Sequence, residues 1–123
     1  MTREEAQSFA QRWAAAWNDR AVERVLAHLD DHVSFTSPTA VAVVGVATVR
    51  GKQALRDYWN EALARVGALR FTVDRVLWDA GSQELAIVYD SEVGGRKRRV
   101  SENLRFGADG RVVSAEVFHG VEV

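Results

Sequence analysis

The chain has 123 residues, 47% of them hydrophobic, with 16 basic and 17 acidic side chains for a formal charge of −1. That suffices for one domain, 1–123, around a single core, and it gives no net basic bias toward nucleic acid, so a small molecule or a protein is the better partner class. Cysteine is absent, which removes disulfides and thiolate chemistry, and no apolar run approaches the roughly 20 residues of a membrane span.

Met1-Thr2-Arg3-Glu4-Glu5 is charged where a secretory signal would be apolar, so the expected location is cytoplasmic. Thr2 followed by Glu5 predicts a capping-box helix start, after which Phe9, Trp13 and Trp17 recur every four residues on one face. Asn18-Asp19 ends this helix and can cap a second, whose stripe is Val22, Val25, Leu26 and Leu29. Val33 to Ser37 alternates as a short strand and stops at Pro38, the only proline. Thr39 to Val49 is small-sided and apolar, which reads as a buried strand or hairpin, or else as a hydrophobic flap over a pocket. A third helix follows Gly51, with Leu55, Tyr58, Trp59, Ala62, Leu63 and Val66 at helical spacing and Gly67 as its C-cap. Strands are then expected at Phe71 to Trp78, Glu84 to Val93, Lys97 to Phe106 and Val112 to His119, joined by short glycine-containing turns. Three helices followed by a curled antiparallel meander make an α+β architecture, open at its wide end.

One residue breaks this pattern. In Arg99 to Phe106, two-residue alternation puts Val100, Glu102, Leu104 and Phe106 on the apolar side, so a carboxyl group faces the core. Desolvation disfavours its ionised form, and such a group is either paired or held protonated. Carboxyls of that kind cluster at functional sites. Val113, Ala115, Val117 and His119 alternate in the last strand, which points His119 toward the same interior and makes it the available base near neutral pH. Tyr89 is a further polar group for a pocket. Trp13, Trp17, Tyr58 and Trp59, with Leu104 and Val117, supply core or pocket wall. A purely structural Glu102, hydrogen-bonded to a core Trp or Tyr or salt-bridged to an arginine, is the competing reading. His28 and His32 are expected to be solvated, and no histidine pair has metal-site spacing, so neither metal nor cofactor is expected.

The segments Ala10-Gln11-Arg12-Trp13, Phe35-Thr36-Ser37-Pro38, Gly51-Lys52, Gly95-Arg96-Lys97, and Glu102 to Phe106 followed by Asp109-Gly110-Arg111-Val112-Val113-Ser114 occur in an order that resembles the NTF2-like, or SnoaL-like, superfamily. Within it the chain is most similar to bacterial ketosteroid isomerases. The resemblance implies a conical α+β barrel, with three N-terminal helices packed on a curved, mostly antiparallel sheet. It also implies an apolar small-molecule pocket and a homodimer. In ketosteroid isomerases an Asp moves a proton beside a ketone, while a Tyr and a protonated Asp donate to the developing enolate. Glu102 falls at the protonated Asp, Ser37 at the general base and Trp13 at the oxyanion Tyr. A serine without an adjacent base does not abstract a carbon-bound proton near neutral pH, and Trp offers a single N–H, so two of three roles are altered.

The expectation is therefore an isomerase, lyase or cyclase acting on an apolar carbonyl compound without the family's base. Its alternative is a non-catalytic ligand-binding or protein-interaction module. Arg96-Lys97-Arg98-Arg99 reads as a solvated hairpin among acidic residues rather than a nucleic-acid site. Phe118, with Ser114 and Glu116 on the outer sheet face, points to a homodimer contact there.

Overall fold

Thr2 opens the first helix with a complete capping box: its hydroxyl accepts from the Glu5 amide at 3.1 Å, and the Glu5 carboxylate accepts from the Thr2 amide at 2.9 Å. The computed structural model describes residues 1–123. Helix α1 (Arg3–Asn18) buries Phe9, Trp13 and Trp17 along the face expected from their spacing. Helix α2 (Val22–Leu26) is shorter than its stripe suggested, because Leu29 opens strand β1 (Leu29–Thr36) instead. Its N-cap is Ala21, without a side-chain cap from Asn18 or Asp19.

The apolar segment after Ser37 is neither strand nor hairpin over most of its length. Pro38–Val44 forms helix α3, with the Ser37 hydroxyl accepting from the Thr39 amide at 3.2 Å and Gly45 closing the helix at φ +81°. A Ser N-cap, a Pro in the first turn and a left-handed Gly at the end together outweigh the β preference of the valines. Only strand β2 (Thr48–Arg50) follows before helix α4 (Lys52–Arg65), so there are four helices rather than three. Helix α4 ends on extended Val66 rather than on Gly67 as a C-cap. The Arg20 side chain holds its last carbonyls, reaching Leu63 O at 3.1 Å and Gly67 O at 2.9 Å.

Strands β3 (Leu69–Asp79), β4 (Glu84–Val93), β5 (Arg96–Phe106) and β6 (Val112–Glu122) complete a six-stranded sheet in the order β2-β1-β6-β5-β4-β3. All pairs are antiparallel except β1 with β6. Gly94 and Gly95, both at positive φ, form the two-residue turn between β4 and β5. The sheet stays open, with β2 and β3 as free edges, and the fold is the conical α+β arrangement anticipated from the sequence. Two irregularities on β6 decide which side chains face inward. Near Phe106 the register shifts so that Val112, rather than the expected Val113, is fully buried. Further along, Arg98 pairs with Glu122 but Val100 with His119, so β6 carries an extra residue beside Gly120. A Cβ at Gly120 would lie 3.0 Å from the Arg99 carbonyl oxygen, so the backbones approach closely at this bulge and glycine suits it.

Candidate functional site

A cavity of about 280 Å³ lies between helix α4 and the concave sheet face, with mainly apolar walls. Of the ten residues singled out from the sequence, eight line it: Trp17, Ser37, Tyr58, Trp59, Tyr89, Glu102, Val117 and His119. Trp13 and Leu104 do not. They surround a cleft of about 10 Å³ behind the cavity, which Glu102 also touches. Trp13 is held away because Phe71 and Tyr89 stand against it, at ring-centroid distances of 5.6 and 5.0 Å.

Glu102 is only 7% exposed. Burial pushes its carboxyl up to about 8, opposed by the neighbouring Tyr89 hydroxyl. Tyr89 is driven well above the ordinary phenol range by burial first and by the neighbouring carboxyl second. Tyr58 is pushed up to about 12, chiefly by burial, with the Ser37 hydroxyl pulling the other way and Glu102 adding to the rise. Glu102, Tyr89, Tyr58 and Ser37 thus form one polar cluster in an apolar surround. Near neutral pH its members are uncharged, and they present O–H groups to the cavity.

Ser37 is 4% exposed and caps α3, its oxygen occupied by the Thr39 amide. Neither a histidine nor a carboxylate hydrogen-bonds to it, so nothing in the site activates it. His119 sits at the rim, with its Nδ1 2.9 Å from an Arg98 Nη. Arginine only donates, so Nδ1 is the acceptor and the neutral ring carries its proton on Nε2. Burial and the Arg98 charge both lower the His119 pKa. In this arrangement His119 offers the cavity a donor, and it can take up a proton only by releasing Arg98.

Among the lining residues not singled out from the sequence, Phe71 and Arg98 matter most to the site. Phe71, read only as a strand start, forms cavity wall against Tyr89. Arg98, read as part of a solvated run, points inward with Arg96 while Lys97 and Arg99 point outward, an alternation the run itself contained. The outward pair is matched by acids: Arg99 reaches Asp74 at 2.7 Å and Asp90 at 2.9 Å, and Lys97 lies 3.8 Å from Asp90 and Glu92. His28, expected in solvent, is half-buried edge-on against Phe9 at 5.1 Å, and burial lowers its pKa. Trp17 and Trp78 each bury an indole N–H without a partner. His, Asp and Glu side chains form no group of three able to hold a metal, and no helix is long and apolar enough to cross a membrane.

A SnoaL-like protein from Burkholderia thailandensis E264 is 33% identical over 98% of both chains and superposes with a TM-score of 0.84. An NTF2-like protein from Burkholderia pseudomallei K96243 shares 19% identity over 97% of this chain and 92% of its own, with a TM-score of 0.80. A candidate ketosteroid isomerase from Kribbella flavida DSM 17836 shares 22% identity over 97% of this chain and 80% of its own, with a TM-score of 0.73. No curated protein matches the sequence significantly. The sequence model of the SnoaL-like domain matches residues 10–122, and with the open cone and its cavity already in place, the chain belongs to the SnoaL-like family of NTF2-like proteins.

Proposed function

We propose that this protein binds an apolar carbonyl compound in the cavity and holds the carbonyl oxygen with neutral Glu102. The observation that carries this reading is a buried carboxyl group, its ionised form disfavoured by that burial, that reaches a mainly apolar cavity. Such a group stabilises charge developing on oxygen, and it can deliver a proton as enolisation, elimination or ring closure proceeds. Isomerase, lyase and cyclase chemistry are the reaction classes it serves. The ketosteroid isomerase mechanism does not carry over, because Ser37 stands where that family has its base and Trp13 faces away from the cavity. A volume of about 280 Å³ lies at the low end for ligand pockets, which favours a ligand smaller than a steroid.

A second reading, storage or sensing without turnover, is favoured by the lack of a free base: Ser37 is committed to a helix cap and His119 to Arg98. Three proteins distinguish the readings when titrated with aryl ketones and followed by thermal shift and product analysis. Glu102→Gln keeps an N–H donor but no transferable proton, whereas Glu102→Leu keeps neither. Ligands that stabilise wild type should still stabilise the Gln variant and lose about tenfold or more in affinity for the Leu variant. Turnover that disappears in Glu102→Gln establishes the enzyme, and binding without turnover in wild type establishes the carrier. Undiminished ketone binding by Glu102→Leu sinks the proposal.

A further inference from the structure

Along strand β5 the cationic side chains are compensated unequally. Lys97 and Arg99, on the outer face, are met by Asp74, Asp90 and Glu92. Arg96 and Arg98, on the inner face, share one carboxylate, Glu122, which contacts Arg96 closely and lies 3.9 Å from Arg98. The other polar partner of Arg98 is His119, which accepts through Nδ1 and is therefore neutral. Two guanidinium groups against one carboxylate side chain leave the side-chain charge on this inner edge of β5 net positive. The Arg98 side chain is only 34% exposed, so water screens that charge incompletely.

The floor adds no compensating anion, since Glu102 is the one carboxyl lining the cavity and burial keeps it protonated near neutral pH. Arg98, Val100 and Glu102 occupy successive inward positions on β5, which separates the two polar groups by about 13 Å between Cα atoms. Val100, and Val117 opposite Glu102 on β6, make the wall between them apolar. The cavity is thus cationic at its mouth, apolar in its middle and hydrogen-bond donating at its floor.

We propose that the ligand carries a carboxylate as well as a carbonyl, the carboxylate meeting Arg98 at the mouth and the carbonyl oxygen meeting Glu102 at the floor. This rests on the carbonyl-binding reading of the cavity and narrows it to apolar oxo acids. A planar guanidinium with donors to spare beyond His119 suits a carboxylate geometrically, and a single negative charge matches the single uncompensated positive one.

The test is calorimetric titration of the full chain with γ-benzoylbutyric acid and with its methyl ester, which has the same ketone and no charge. Wild type should bind the acid about tenfold more tightly than the ester, and added salt should erode only the acid's advantage. Arg98→Gln should bring the acid down to the level at which the same variant binds the ester. Equal binding of acid and ester by wild type overturns the inference and leaves the carbonyl reading standing. A preference for the acid that persists in Arg98→Gln removes Arg98 from the role and overturns it likewise. Failure of wild type to bind either compound overturns the carbonyl reading and the oxo-acid inference together. The wild-type comparison and the salt titration decide the question even if the variant does not fold.

Discussion

Glu102 costs the folded state an amount that depends on pH. Its carboxyl is raised from an ordinary value near 4.5 to about 8, so between those limits the folded chain holds a proton that the unfolded chain releases. Stability falls with pH wherever the native state binds more protons, so this group's contribution declines from about pH 4.5 and levels off above about pH 8. Accumulated across that window, the loss is on the order of a few kcal/mol. Glu102→Gln keeps the shape and cannot ionise, so its urea midpoint should match wild type near pH 4.5 and exceed it increasingly up to pH 8. Parallel pH profiles for the two proteins would mean that Glu102 is ion-paired or wetted in the folded state. The same measurement bears on function, because an acid that ionises this late is a donor at neutral pH rather than a base.

Between elements, Asn18 and Arg20 at the end of α1 hold the two segments that frame the cavity. The Asn18 side chain donates to the Phe71 carbonyl at 3.0 Å and accepts from the Phe71 amide at 2.7 Å, tying β3 to the helix that buries Trp13 and Trp17. Arg20 takes the left-handed position after α1, φ +55°, where glycine is usual, and its side chain reaches across to the end of α4. Asn18→Ala strips both bonds from the Phe71 backbone and should cost about 1–2 kcal/mol. It should also weaken cavity ligands, because Phe71 is cavity wall. Urea unfolding checks the first effect and titration the second; an unchanged midpoint would mean that water replaces the clamp at no cost. Neither contact was legible beforehand, since both join residues more than 40 apart and depend on the end of α1 reaching the end of α4 in one case and β3 in the other. What could be read was periodic: the four-residue aromatic stripe of α1 and the alternation that turned Glu102 inward. Helix α3 was missed because its valines favour strands, while its start and stop are carried by three residues only, Ser37, Pro38 and Gly45. Arg98 was missed because four consecutive basic residues look uniform until strand alternation is applied within the run.

At the scale of the whole molecule, the sheet has a second face, turned away from the helices. Phe118, 49% exposed, stands in a row with Ser101, Val88 and Arg75, and the next row holds Glu116, Asn103, Ala86 and Leu77, the last 58% exposed. Ser101, Asn103, Ala86 and Val88 on β5 and β4 lie between Phe118 on β6 and Leu77 on the edge strand β3, and Arg75 and Arg99 are already paired with Asp74 within the chain. Exposed Phe118 and Leu77 beside small and polar neighbours, with part of the surrounding charge already paired within the chain, suit self-association. We propose that the protein is a homodimer through this face. Light scattering should then give twice the chain mass of 13.7 kDa, and Phe118→Asp should halve it without altering the far-ultraviolet dichroism, because the substituted side chain is exposed in the single chain. A wild-type mass of 13.7 kDa at micromolar concentration removes the interface. Phe118 and Val117 are consecutive on β6 and point to opposite faces, one outward and one into the cavity. In such a dimer, the partner and a cavity ligand would load the same strand from its two sides, and a ligand that orders β6 should then tighten the dimer as well.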